Sequence, residues 1–89
     1  VRDLCISLGI VMTIEDSWGG EIATSAIAHL AQSTPSGFHF QSSAFHEYHT
    51  LAIADGGPVV NGGFMQASDA PGLGVEPIMD ILGDPVFAT

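Results

Sequence analysis

The apolar positions along the chain alternate between short strand-like runs and one helical stripe. Residues 10–14 form a nearly continuous apolar run rich in β-branched side chains, which is typical of a strand buried on both faces. In residues 21–32 the apolar side chains recur every three to four positions, as on one face of a helix. Residues 38–43 alternate between apolar and polar side chains and predict a second strand. The order strand, helix, strand predicts part of a βαβ unit.

The chain opens with the pattern of a helix end. In residues 1–9 several apolar side chains share a helix face, and Gly9 stands where a C-terminal cap belongs. Cys5, the only cysteine, excludes an internal disulfide, and we interpret it as a small core residue in a reducing compartment. Two parallel strands cannot protect their own edges. We therefore expect the chain to be a fragment that does not fold alone.

The second half of the chain is rich in glycine and proline. Residues 44–54 fit a helix or irregular structure equally well. From Asp55 onward, closely spaced glycines and prolines predict an extended, turn-rich tail. Within it, residues 59–60 and 64–65 are candidates for short strands. We expect this tail to find nothing in the chain to pack on.

Charge narrows the classes of partner. Ten acidic side chains stand against one arginine and no lysine, which gives a formal net charge of -9. This balance argues against binding to nucleic acid and to anionic membrane surfaces, which need basic patches. The apolar runs are far too short to span a bilayer, and no targeting segment is visible. We therefore expect a cytoplasmic protein with no nucleic-acid or membrane partner, whose acidity serves solubility.

Residues 14–20, with the sequence I-E-D-S-W-G-G, place two carboxylates, an indole and two glycines directly after the first predicted strand. A barrel strand delivers polar groups to the mouth of an active site in this way. Because side chains alternate along a strand, Glu15 and Asp16 point to opposite faces. Taken alone, Asp16 fits a turn or the start of a helix, and Trp18 fits packing as well as ligand contact.

Three histidines, His39, His46 and His49, lie close together in the sequence; they fit solvated or loop-packing positions, or ligands of a Zn²⁺ site. His46 and His49 are three positions apart, however, so this is not the zinc-binding pattern H-E-x-x-H. A function of another class therefore stays open: a small acidic metal-binding or interaction module, which would fold alone and bind a divalent transition metal. His29 lies beside the apolar stripe of the predicted helix, and we interpret it as a packing residue.

Three motifs resemble the C-terminal end of enolase-superfamily proteins, in the mandelate racemase/muconate lactonizing enzyme group. They are E-D-S-W-G-G at 15–20, A-H-L-A at 28–31 and A-P-G-L-G-V-E-P at 70–77. The first motif, together with L-G-D-P-V at 82–86, is most similar to cis-3-hydroxy-L-proline dehydratases and proline-betaine epimerases. The resemblance covers nearly the whole chain.

The resemblance implies an α/β fold that is the C-terminal portion of a modified (β/α)8 TIM barrel, incomplete on its own. Residues 10–16 would be the seventh strand with its loop, 21–32 the seventh helix and 38–43 the eighth strand. Residues 1–54 would end the barrel domain, and residues 55–89 would be a tail that returns toward a capping domain.

The resemblance also implies a reaction. In the family, carboxylates on earlier strands hold Mg²⁺, and lysines on the second and sixth strands move the α-proton of a carboxylate substrate through an enediolate. No catalytic residue and no metal ligand is therefore expected in this chain, and it should be inactive alone. The implied activity is a hydro-lyase reaction on cis-3-hydroxy-L-proline. The alternative is an amino-acid or betaine racemase or epimerase of the same superfamily.

Five substrate-binding residues are implied in this chain: Asp16, Trp18, Gln41, Ser42 and Ser43. Asp16 would pair with the ammonium of the substrate, Trp18 would offer it an aromatic face, and the other three would hydrogen-bond a hydroxyl or the carboxylate. Ala44 departs from relatives that carry an acidic residue there, which leaves the substrate open. The expected partners are an amino-acid-like carboxylate and the rest of the same barrel and capping domain. Because relatives are commonly oligomeric, a homo-oligomer is a further expectation.

Overall fold

The computed structural model describes residues 1–88 and shows a mixed α/β arrangement. The helices are α1 (Arg2–Ser7), α2 (Gly20–Gln32) and α3 (Met79–Leu82), with a 3-10 helix at Phe45–Tyr48. The strands are β1 (Met12–Ile14), β2 (His39–Ser42), β3 (Ala54–Asp55) and β4 (Glu76–Pro77). No helix among these residues is long and apolar enough to cross a membrane.

The predicted strand, helix, strand order is confirmed. β1 pairs with β2 in parallel, with Ile14 opposite Ser42, and α2 makes the connection between them. β1 is shorter than the predicted strand because the backbone N–H of Ile10 donates to the carbonyl of Cys5 at the end of α1, at 2.8 Å. Parallel pairing with a helical connection brings the loops after both strands to one edge of the sheet.

Both ends of α2 follow from local chemistry. Gly20 has a φ of +58°, and a Cβ on it would meet the side chain of Ile53 at 2.8 Å, so the helix begins on a residue without a side chain. At the other end, the hydroxyls of Ser33 and Thr34 donate to the carbonyl of Leu30 at 2.9 and 2.8 Å. The following Pro35 cannot continue the helix.

The buried set is small and partly polar. Its apolar members are Ile14, Ala28, Ala54 and Ala67, and its polar members are Asp16, Glu21, Thr24, Ser25 and Thr34. The polar group lies largely at the start of α2 and the end of β1, near the predicted site residues Asp16 and Trp18. The prediction of Cys5 as a core residue is not met: Cys5 is only half-buried, and no residue of α1 is buried.

The tail differs from its predicted form. Residues 59–60 and 64–65, the candidates for short strands, lie outside the named strands. Phe64 makes only an isolated antiparallel bridge with Asn61, and the antiparallel pair of strands is β3 with β4. The tail also packs on α2, contrary to expectation: the Ala67 N–H donates to Gln32 Oε1 at 3.1 Å, and His29 Nε2 donates to the Leu73 carbonyl at 3.2 Å. His29 is thus a packing residue of α2, as its place in the sequence indicates. The division at residue 55 and the course toward a capping domain stay predictions.

Candidate functional site

The carboxylate of Asp16 joins the loops that follow β1 and β2. Its side chain is only 4% exposed. Oδ2 accepts a hydrogen bond from the Thr24 hydroxyl at 2.5 Å and from the backbone N–H of Phe45 at 3.2 Å. The backbone N–H of Asp16 donates to Ser43 Oγ at 2.9 Å. Two predicted site residues, Asp16 and Ser43, are therefore in contact at the C-terminal ends of the parallel strands.

Only one oxygen of the Asp16 carboxylate has a partner. Oδ1 is buried and has no hydrogen-bond partner among residues 1–88. An unpaired buried carboxylate oxygen is costly, so a further donor at this position would be favourable. Because Oδ1 is covered, direct contact between Asp16 and a substrate cation stays a prediction.

Trp18 lies at the surface against a group of aromatic rings. Its backbone φ is +65°, which is uncommon for a bulky residue, and its side chain is 54% exposed. Its ring centroid lies 4.7 Å from that of Phe45, 5.9 Å from Tyr48 and 5.6 Å from His49. We call these four residues the aromatic cluster. An exposed indole supported in this way can receive a cation or an apolar ring on its face.

Gln41 and Ser42 belong to a different surface. They line a cavity of about 470 Å³ between α2 and β2, to which the aromatic cluster contributes no residue. Ser42 Oγ is hydrogen-bonded to His39 Nε2 at 2.9 Å, so its hydroxyl already has a partner. The structure thus separates the five predicted residues into two groups: Asp16, Trp18 and Ser43 at the loops, and Gln41 and Ser42 beside α2.

Glu21 at the start of α2 and His46 on the 3-10 helix hold a third loop in place. Glu21 Oε2 accepts the backbone N–H of Ile53 at 2.9 Å, and His46 Nε2 donates to the carbonyl of Pro58 at 2.7 Å. Burial raises the pKa of Glu21, but its own backbone N–H and those of Ile53 and Ala54 outweigh burial and hold this pKa below its ordinary value of 4.5. The electrostatic interaction with nearby His46 lowers it further.

The sequence carries no signal for this role of Glu21. A carboxylate in the first turn of a helix is ordinary, because it favours the helix dipole. The partner, Ile53, lies 32 positions away along the chain. Only the folded arrangement shows that Glu21 anchors the loop that follows the aromatic cluster.

The histidines singled out for a metal site are engaged separately. His39 bonds Ser42, His46 bonds Pro58, and His49 packs edge-on against Trp18 at a ring-plane angle of 75°. Within residues 1–88, no group of three or more His, Cys, Asp or Glu side chains is arranged to hold a metal ion. The geometry therefore gives no support to the hypothesis of a small metal-binding module.

Residues 1–81 match the enolase C-terminal domain-like family. This chain belongs to that family. The match spans the βαβ unit, the aromatic cluster and most of the tail, so the resemblance to the mandelate racemase/muconate lactonizing enzyme group is confirmed.

Individual relatives agree with the family. The chain is 59% identical over 86 residues to a cis-3-hydroxy-L-proline dehydratase from Roseibium aggregatum, which covers 97% of the chain and 23% of that protein. A mandelate racemase/muconate lactonizing enzyme from Roseovarius nubinhibens is 48% identical with a TM-score of 0.89, over 97% of the chain and 23% of that structure. The chain thus spans about a quarter of the length of these relatives.

A second Roseovarius nubinhibens structure, assigned to the same group and complexed with magnesium, is 34% identical. Its TM-score is 0.90, and the match covers 97% of the chain and 24% of that structure. The fold of this chain is therefore that of the corresponding part of the group.

Proposed function

We propose that this chain is part of a cis-3-hydroxy-L-proline dehydratase and forms the wall that receives the nitrogen end of the substrate. The observation that carries this proposal is the 59% identity to the Roseibium aggregatum enzyme of that name over 86 residues. That stretch includes both strand ends and the aromatic cluster. The activity of a whole enzyme is inferred here from a relative of which the chain covers 23%.

We further propose that β1 and β2 are the seventh and eighth strands of a modified (β/α)8 barrel. Parallel pairing across α2 supports this, because such units build the barrel. Asp16 and Ser43 follow the C-terminal ends of their strands, the end at which barrel enzymes place their active sites. The partners of the chain are then the rest of its own barrel and a capping domain.

Among the five predicted substrate-binding residues, Trp18 is the one best suited to the substrate nitrogen in this proposal. A positive nitrogen over an exposed indole face gains about 0.5–2 kcal/mol. The hydrogen bonds of Asp16 to Thr24 and Phe45 fix the loops that carry the cluster, so the face is in place before the substrate arrives. Gln41 and Ser42 stay candidates for contact with a hydroxyl or the carboxylate.

The residues of this chain bind and orient the substrate, and the proton transfer belongs to other parts of the barrel. The chain has no lysine, and residues 1–88 contain no group of three or more His, Cys, Asp or Glu side chains arranged to hold a metal ion. The acid, the base and the metal ligands implied by the family resemblance therefore lie on other strands in this proposal. No catalytic step is assigned to a residue of this chain.

A chimera tests the proposal. This chain would replace the matching segment of the Roseibium aggregatum enzyme, and the product would be incubated with Mg²⁺ in D2O with cis-3-hydroxy-L-proline or with proline betaine. We expect hydroxyproline to lose its α-proton and its hydroxyl at a rate near that of the unexchanged enzyme. NMR would measure both losses. Circular dichroism would establish that the chimera is folded.

Two other results have definite meanings. Deuterium exchange at the α-carbon without loss of water would favour the racemase or epimerase alternative, which the aromatic cluster also suits because it can receive a quaternary ammonium. A folded chimera that acts on neither compound would contradict the substrate assignment and leave the family membership intact.

A further inference from the structure

We propose that Glu15, the neighbour of Asp16, is the carboxylate that contacts the positively charged nitrogen of the substrate. The inference rests on the proposed function, because it takes the C-terminal ends of β1 and β2 as the mouth of an active site. It gives the two adjacent carboxylates different tasks: Asp16 holds the loops together, and Glu15 faces the ligand.

The alternation of burial along β1 carries the first step. Ile14 and Asp16 are 8% and 4% exposed and lie on the side covered by α2. Thr13 and Glu15 are exposed and belong to the opposite side, since neighbouring side chains point to opposite faces. In a barrel with its helices outside, that side faces the interior. Glu15, the first residue beyond β1, therefore lies at the mouth of this interior.

One oxygen of the Asp16 carboxylate is already engaged. Oδ2 accepts hydrogen bonds from Thr24 and Phe45, and Thr24 is fully buried. The other oxygen of Asp16, Oδ1, is buried on the same side as α2, so turning the carboxylate toward the opposite side of β1 would leave a buried hydroxyl and a backbone N–H without an acceptor, which is costly. The geometry thus favours Asp16 as a positioning residue.

Glu15, in contrast, is uncommitted. Among residues 1–88, no hydrogen bond or ion pair involves its side chain, and the only arginine, Arg2, is paired with Asp3 at 2.9 Å. An unpaired carboxylate in a chain of net charge -9 attracts a cation and repels an anion. An amino acid at neutral pH carries both charges, so Glu15 would orient it with the ammonium toward β1 and its carboxylate away.

Trp18 completes the arrangement. It follows Glu15 by three positions in the same loop, and its indole is exposed. A carboxylate and an aromatic face at one loop suit a cyclic secondary ammonium, which needs an anionic partner for its N–H groups and an apolar surface for its ring.

The test measures kcat and KM of the chimera for cis-3-hydroxy-L-proline after Glu15→Gln, with Glu47→Gln as the matched control. Glu47 is an exposed glutamate on the 3-10 helix at the same edge of the sheet. Loss of a charged hydrogen bond to the substrate is expected to lower kcat/KM about 10- to 100-fold, mostly through KM. Glu15→Asp, which keeps the charge, should restore part of the loss, and the melting temperature of Glu15→Gln should not change.

Each other outcome overturns a defined claim. If the unsubstituted chimera is active and Glu15→Gln behaves as Glu47→Gln does, Glu15 is an ordinary solvated carboxylate and the inference fails alone. If Asp16→Asn raises KM without lowering the melting temperature, the tasks of the two residues are reversed. If the unsubstituted, folded chimera is inactive, the proposed function fails and the inference falls with it. Where exchange of the whole segment prevents folding, exchange of residues 10–49 alone provides the same comparison.

Discussion

The two sides of β1 present opposite chemistry. On the side of α2, buried carboxylates accept hydrogen bonds: Asp16 from the Thr24 hydroxyl and the Phe45 backbone N–H, and Glu21 from the Ile53 backbone N–H. On the other side, Thr13 and Glu15 are exposed and no ion pair involves them within residues 1–88. Two adjacent residues, Glu15 and Asp16, thus have the same charge and different environments.

The difference teaches how a short polar motif can serve stability and recognition at once. Strand alternation sends one carboxylate toward the helix and one away from it. A carboxylate held by buried donors makes its loop rigid, and a rigid loop loses less entropy when it binds a ligand. Substitutions on the helix side should therefore lower stability, and substitutions on the open side should lower substrate affinity.

Removal of the Asp16 carboxylate should give the largest loss of stability. Asp16→Ala leaves the Thr24 hydroxyl and the Phe45 N–H buried without an acceptor, so we expect a loss of about 2–4 kcal/mol. The measurement is the thermal unfolding midpoint of the chimera. Asp69→Ala, at an exposed loop position, is the control and should change stability by no more than about 0.5 kcal/mol. Equal effects of the two substitutions on stability would contradict the structural role of Asp16.

Close packing of the tail on α2 should give the next effect. A Cβ on Gly57 would lie 2.5 Å from Glu21 Cγ and 2.8 Å from Glu21 Cβ, so Gly57→Ala should cost about 2 kcal/mol through overpacking. Gly63 has a φ of +81° and open space around it. Gly63→Ala should therefore cost only the conformational strain, about 1 kcal/mol. Differential scanning calorimetry of both variants measures the difference in stability. A Gly57→Ala variant as stable as the unsubstituted protein would show that this loop is not closely packed on α2.

The third prediction concerns pH. The pKa of Glu21 lies below its ordinary value of 4.5 in the folded chain, so its carboxylate contributes stability that is fully present above that value. This contribution is lost as the pH falls through the folded pKa. Glu21→Gln, with a cost of about 1 kcal/mol at neutral pH, should remove this part of the acid sensitivity. The measurement is the melting temperature of both proteins at neutral and at acidic pH. An equal decrease in the two proteins on acidification would contradict this role of Glu21.

The smallest expected effect is that of Glu15 on stability. Because its side chain is exposed and no ion pair involves it within residues 1–88, Glu15→Gln should change the free energy of unfolding by no more than about 0.5 kcal/mol. Thermal unfolding beside Asp16→Asn measures this. A clear loss in Glu15→Gln would mean that the open side also supports the fold.

The elements of the first half of the chain could be predicted from the sequence. Apolar periodicity identified β1, α2 and β2, because those patterns are set by which sides of each element are buried. The short strands β3 and β4 could not be predicted, since each has only two residues, and their pairing joins positions 54–55 to 76–77. The alternation of apolar and polar side chains in a strand can be recognised only over several residues.

The site was predictable only in part. The motif at 14–20 indicated the loop, and the structure brings Asp16 and Ser43 together there. The division of labour between Glu15 and Asp16 depends on which side α2 covers, and alternation alone does not say this. The bond between Asp16 and Phe45 joins residues 29 positions apart and has no local signal.

The most direct test of the different tasks of Glu15 and Asp16 is a crystal structure of the chimera with bound L-proline, which has the ring nitrogen and the carboxylate but no 3-hydroxyl to lose. We predict a Glu15 carboxylate oxygen about 3 Å from the ring nitrogen, with Asp16 still bonded to Thr24 and Phe45. A structure in which Asp16 has released Thr24 and contacts the nitrogen, while Glu15 points into solvent, would contradict this assignment.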